Sequence, residues 1–221
     1  MRRRWAAVSG VLLLATVAGA QSTTEKYHGA KVVQASDIPY PLNTRTPGFV
    51  TLNVIVDSSG TLQKTVVVRD VPPLTDAVQN SVKTWQFSPA MENGQAVDGV
   101  VQVTVAFNPF NPSGVGMPGA PLQPPDSNGG GNFHPANLQS ASYATYPPNT
   151  VAYGTVVLQL HVGSDGKVHK VAPIGGKAEL STPSIAAAKT WGFSPATYQG
   201  KPVGSDVVVV FVFALPQAGT R

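Results

Sequence analysis

The chain has 221 residues, a formal net charge of +4 and 42% hydrophobic residues, enough apolar content for packed cores and too much for wholesale disorder. It has no cysteine, which excludes disulfide frameworks, thiolate metal sites, iron–sulfur clusters and thiol nucleophiles. Its 20 prolines and 22 glycines follow no three-residue period, so collagen is excluded and a tether is expected.

At the N-terminus, Arg2, Arg3 and Arg4 precede an apolar run that closes on Ala18-Gly19-Ala20, the order of a cleaved export signal. Residues 1–20 are read as a signal peptide. The alternative is an uncleaved anchor, for which the run is short against the ~20 residues of a spanning helix. Export predicts the periplasm or cell envelope; a retained anchor predicts attachment to the inner membrane, facing the periplasm. Removing the leader leaves 12 basic and 11 acidic residues, and no basic face of the kind nucleic-acid binding needs. Residues 21–37 read as a lead.

The remainder repeats itself. Lys83-Thr84-Trp85-Gln86-Phe87-Ser88-Pro89-Ala90 returns as Lys189-Thr190-Trp191-Gly192-Phe193-Ser194-Pro195-Ala196, a shift of 106 positions that also carries Tyr40-Pro41 onto Tyr146-Pro147 and Gly60 onto Gly166. Each copy, residues 38–108 and 144–215, is expected to fold as its own domain. In each, alternating Val50, Leu52, Val54 and Val56, or Val156, Leu158, Leu160 and Val162, predicts a half-buried strand. Turn residues follow at 57–60 and 163–166, then a second strand over 62–69 or 167–173, so each pair reads as a hairpin.

Leu74, Val78, Val82 and Trp85 stand at helical spacing with Thr75 as cap; in the second copy Thr182 caps, Pro183 opens the helix, and Ile185, Ala188 and Trp191 form the stripe. The tryptophans are read as core. A closing strand ends each copy: Val101, Val103, Val105 and Phe107 alternate with polar or small residues, whereas Val207 to Leu215 is apolar on both faces and must be covered twice or paired. The predicted fold class is α+β, two β-β-α-β domains, each a three-stranded antiparallel sheet packed by one helix. Residues 109–143, rich in proline and containing Gly129-Gly130-Gly131, read as the linker, and 216–221 as a tail.

Tyr40-Pro41, Gly48-Phe49-Val50-Thr51-Leu52, Gly60, Lys83 to Ala90 and Val101 to Phe107, with their partners 106 positions on, resemble the C-terminal domain of the TonB family. The resemblance implies a non-enzymatic, periplasmic protein-recognition module whose best-known members couple an inner-membrane motor to outer-membrane transporters by pairing the last strand with a partner segment. Physical reasoning independently makes an edge strand a template for an extended peptide. The candidate partner-binding residues are Tyr40, Pro41, Tyr146 and Pro147 with Val101, Val103, Val105 and Phe107 of the first closing strand and Val207, Val209, Phe211 and Phe213 of the second. Expected partners are envelope proteins, outer-membrane transporters among them, or another copy through edge strands, with membrane contact only if residues 5–20 are retained. The alternative is a scaffolding envelope protein with self-associating domains.

No catalytic, cofactor or metal site is read. Gly114-Val115-Gly116-Met117-Pro118-Gly119 matches a dinucleotide fingerprint but has no βαβ context. His161 and His169, with Val162 set opposite Lys167, fall on opposite hairpin faces, and Asp57 and Asp165 are turn residues at non-equivalent positions.

Overall fold

The computed structural model describes residues 27–41, 44, 46–108, 132–148 and 150–214. Its first copy runs β1 (Tyr27–His28), β2 (Lys31–Gln34), β3 (Gly48–Val56), β4 (Leu62–Arg69), α1 (Leu74–Val82), β5 (Gln86–Ser88), β6 (Ala90–Glu92), β7 (Gln95–Val97) and β8 (Gly99–Asn108). The second runs β9 (Phe133–His134), β10 (Asn137–Ser140), β11 (Gly154–Val162), β12 (Val168–Gly176), α2 (Ala178–Ala188), β13 (Gly192–Ser194), β14 (Ala196–Tyr198), β15 (Lys201–Val203) and β16 (Ser205–Phe213). The leader, the Gly114–Gly119 motif and the tail lie outside the described residues. Among the described residues no helix is long and apolar enough to cross a membrane.

Both hairpins form where the alternation places them, and each closing strand lies beside the first strand of its own copy. The copies are nevertheless not separate sheets. β8 and β16 pair in parallel and join the two meanders into one six-stranded sheet of order β12-β11-β16-β8-β3-β4. The expected layout of two independent three-stranded domains is corrected accordingly. The physical reason is the double-sided apolar character of β16: Val207, Val209, Phe211 and Phe213 enter one core with Leu180 and Trp191, while Val208, Val210 and Val212 enter the other with Leu74, Val78 and Trp85. Each helix therefore covers its own copy plus the closing strand that the other supplies, on opposite sides of the sheet.

The sheet order and the parallel central pair define a pseudo-two-fold axis along β8 and β16. Such an axis turns equivalent residues to opposite faces, yet side chains adjacent across a ladder share a face. Equivalent residues therefore cannot sit opposite one another. The observed register obeys this, pairing Val103 with Val208 rather than with its own equivalent, Val209. Where equivalents do touch, they mark the axis: Tyr27 lies against Phe133 with ring centroids 4.7 Å apart, and the Tyr198 hydroxyl donates to Glu92 Oε1.

The first residues of each copy lock the halves together. Ile38 N–H donates to Thr155 Oγ1 at 3.0 Å, and Ala144 N–H donates to Asn108 Oδ1 at 3.2 Å, each bond crossing from one copy to the other. Structure begins earlier in each copy than expected: residues 27–34 of the lead and 133–140 of the expected linker carry short strands pairing with β5, β6, β13 and β14.

Three local expectations also differ. Helix α2 starts at Ala178, so Pro183 lies inside it, and the carbonyl left without its helical donor belongs to exposed Glu179. Thr75 lies in the first turn of α1, its hydroxyl accepting Val71 N–H at 2.9 Å. The second hairpin pairs Val162 with Val168 rather than with Lys167, since Lys167 O instead accepts the Gly163 N–H that closes the turn at 2.9 Å.

Candidate functional site

The residues singled out on the closing strands lie in the sheet interior. Val101, Val103, Val105 and Phe107 are at most 1% exposed and pack beneath α1; Val207, Val209, Phe211 and Phe213 are at most 2% exposed and pack beneath α2. Neither strand is an edge: β8 is flanked by β3 and β16, and β16 by β8 and β11. The backbone groups expected to be offered to a partner are taken by the other copy.

The Tyr-Pro pairs brace the ends of these strands. The Tyr40 ring meets Phe107 edge-on at 5.3 Å and its hydroxyl donates to Thr46 O at 3.0 Å. Tyr146 meets Phe213 at 5.8 Å and donates to Ala152 O, the equivalent acceptor. Burial, helped by Tyr143, pushes the Tyr40 hydroxyl up to about 12, so it stays a neutral donor across the physiological range. Pro41 and Pro147 are half-buried beside them.

What the sheet leaves open is its two outer strands, β4 and β12, which periodicity alone did not single out. The pair is unequal. On β4, Val66 and Val67 are 41% and 40% exposed, large apolar side chains on a strand with no proline. On β12, the residue equivalent to Val67 is Pro173. Proline is tolerated on an edge where its missing N–H would face solvent, and it blunts that edge against further pairing.

The starts of the two strands differ as well. Lys167, just before β12, bridges to Gly192, and Phe193 N–H donates to Gly166 O at 3.2 Å. Neither contact has a counterpart among the described residues of the first copy. There, Gly60, Thr61, Leu62, Lys83, Trp85, Gln86 and Phe87 line an open cleft of about 490 Å³. Trp85, in the wall of this cleft, is 5% exposed and its Nε1 has no partner, whereas Trp191 Nε1 donates to Ser142 O at 3.0 Å.

A polar cluster at the other end of the sheet was also missed. Asp206 Oδ2 lies 3.2 Å from Lys31 Nζ and accepts Gln159 Nε2 at 2.8 Å, while Oδ1 lies 3.0 Å from His161 Nδ1. Burial raises the Asp206 carboxyl, but the hydrogen bonds from His161, Lys31 and Gln159 outweigh it and hold the group below its ordinary value of 3.8. The signal was the repeat itself, since Asp206 is equivalent to Val100 and departs from the copy. The cluster ties β2 of the first copy to β16 of the second, an ion pair between the halves.

Among the described residues, the histidines and aspartates weighed in the sequence are held in structural contacts. His161 is committed to Asp206, and His169 Nε2 lies 2.9 Å from Asp165 Oδ1. Asp57 accepts the N–H groups of Ser59 and Thr61 at 2.8 and 2.9 Å, which is turn closure. Among the described residues no group of three His, Asp or Glu is placed to hold a metal.

The structure is one fused α+β sheet built from two copies of one module, with helices on opposite faces and two outer strands that differ in sequence. The family model described as the Gram-negative bacterial TonB protein C-terminal matches residues 42–109 and 142–215, more than half of the chain, and the protein belongs to that family. The family is a non-enzymatic, cell-envelope protein-interaction module. No curated protein and no solved structure matches the chain.

Proposed function

We propose that the protein is an exported, non-enzymatic binding module of the cell envelope that recognises partner proteins by strand pairing at the free edge of its sheet, with outer-membrane transporters as the leading partner class. The observation that carries this reading is the family match over both copies. The geometry adds a constraint: with both closing strands consumed internally, recognition falls to an outer strand. The same fusion argues against open-ended assembly through the closing strands, which are already satisfied within one chain.

The test is cross-linking in envelopes with a photoreactive residue at Val33, an exposed position away from the core, followed by mass spectrometry of the adducts. An adduct with an outer-membrane protein, competed by unlabelled chain, supports the reading. Adducts with the chain itself alone, or none, defeat it and favour scaffolding.

A further inference from the structure

We infer that the first copy alone carries a working edge, β4 with the cleft at its start, and that its occupant is an extended acidic peptide strand, one per chain. This rests on the proposed binding-module function and specifies its site. Two independent differences between otherwise matched copies point to the same half. Pro173 blunts β12 where Val67 leaves β4 able to pair, and the Lys167–Gly192 bridge closes the start of β12 where Thr61 and Gln86 leave a cleft.

The proline also shows which way the backbone points. Pro173 pairs with Leu158 in the ladder as Val67 pairs with Leu52. A residue with no N–H holds that place in β12, so the nitrogen there faces away from the sheet. By equivalence the Val67 N–H is an open donor on the outer side of β4.

Side chains specify the chemistry of the occupant. Lys64, Val66 and Arg69 pair with Ile55, Asn53 and Thr51, which places all three on the face away from α1, the bulge near Arg69 keeping it in phase. Lys83 lines the cleft at the strand's start. Among the described residues none of these three cations is in an ion pair. A strand laid along β4 sets alternate residues beside this row, so the matching pattern is a carboxylate on either side of an aliphatic residue, each two positions apart. A second copy fits worse. Antiparallel pairing of two β4 strands centred on Val66, with the bulge before Arg69 counted, places Lys64 opposite Arg69, and like charges directly opposed are unfavourable.

The experiment uses the purified chain and a fluorescein-labelled Gly-Ser-Glu-Thr-Val-Thr-Glu-Ser-Gly peptide, with both Glu replaced by Lys in the control, read by anisotropy. The expected result is saturable binding of one acidic peptide per chain, at least tenfold tighter than the control. Val67→Pro installs the residue the second copy carries at the same ladder position, so the variant keeps its thermal midpoint within a few degrees while affinity falls at least tenfold. Lys64→Glu with Arg69→Glu reverses the preference between the two peptides. Absence of peptide binding, equal binding of the two peptides, or unchanged affinity in Val67→Pro overturns the assignment. So does concentration-dependent dimerisation abolished by Val67→Pro, which would give the edge to a second copy. If Val67→Pro leaves the envelope cross-link intact, the edge assignment fails while the binding-module reading survives; if the unmodified chain yields no cross-link either, that reading fails too.

Discussion

Replacing Val210 by alanine tests whether the two copies share one core. Val210 belongs by sequence to the second copy, yet its side chain is fully buried among first-copy residues, in the cluster of Leu74, Val78 and Trp85, and its backbone pairs with Val105 and Val157. The substitution removes two methyl groups, about 0.8 kcal/mol each in transfer free energy, plus a cavity contribution on the order of 1 kcal/mol in a site walled by ladder strands that relax little. The expected loss is about 2–3 kcal/mol, and at 1.4 kcal/mol per decade this corresponds to a rise of roughly 30- to 150-fold in the slowest amide exchange. Hydrogen exchange read by mass spectrometry on peptides spanning 48–56 and 154–162 checks it. Because the sheet is continuous, both peptides are expected to accelerate together. Acceleration confined to 154–162, with 48–56 unchanged, would mean that the copies open independently and would refute the shared core.

Asp206→Asn is expected to cost about 1 kcal/mol by weakening the link to Lys31, which is itself about half exposed. Because the folded-state carboxyl is held below 3.8, its contribution is present above that pH and is lost as pH falls through the lowered value; the variant is expected to show a shallower loss of stability below about pH 4 in urea titrations. Gly166→Ala, at φ +77° with the new Cβ driven onto the Phe193 carbonyl, is expected to cost more than about 2 kcal/mol, against about 1 kcal/mol for Gly200→Ala, at φ +76° in open space; equal urea midpoints would contradict the close approach. Tyr146→Phe removes the hydroxyl bond to Ala152 O and is expected to cost about 1 kcal/mol, with faster amide exchange over 146–153 as its local signature.

The elements were legible because each rests on local chemistry. Alternation exposes β3 and β11, the turn residues expose the hairpins, and 3.6-residue spacing exposes the tryptophans as core; they are 5% and 3% exposed. The joining of the copies was only half legible. Periodicity reports that a face is buried, not what buries it, so Val207 to Phe213 announced two covered faces without naming the second cover. β8 differs in the opposite sense: Gln102 and Thr104 alternate with its apolar residues, yet both are buried, Gln102 donating to Asn53 Oδ1 at 3.4 Å and Thr104 Oγ1 lying 3.2 Å from Thr51 Oγ1. Polar side chains that satisfy one another across a ladder are indistinguishable, in sequence, from ones that face water. The short strands before each copy were too brief to show a period, though the 106-residue shift that pairs Tyr27-His28 with Phe133-His134 extends the copy to include them. The candidate site was least legible, because an edge is defined by topology. Only after β8 and β16 were seen to consume each other could β4 and β12 be recognised as the outer strands.

Carrying both copies on one chain has a consequence that two separate chains cannot reach. A two-fold homodimer of a single copy presents two identical outer strands, since any substitution falls on both. Covalent duplication keeps the copies at high effective concentration, so the closing strands find each other within the chain. It also frees the outer strands and the segments beside them to diverge: Pro173 against Val67 and Gly175 against Arg69 on the strands, Gly192 against Gln86 next to them. The interior shows the opposite tendency, with Leu74 and Leu180, Trp85 and Trp191, and Phe107 and Phe213 retained as equivalent buried pairs. Divergence at the rim with retention in the core turns a symmetric scaffold with two equal edges into one with a blunted side and an open side. That asymmetry sets the stoichiometry of one partner strand per chain: if restoring valine at Pro173 and glutamine at Gly192 created a second peptide site, the closed edge would be shown to be held shut by those residues, and an unchanged stoichiometry would place the restriction elsewhere.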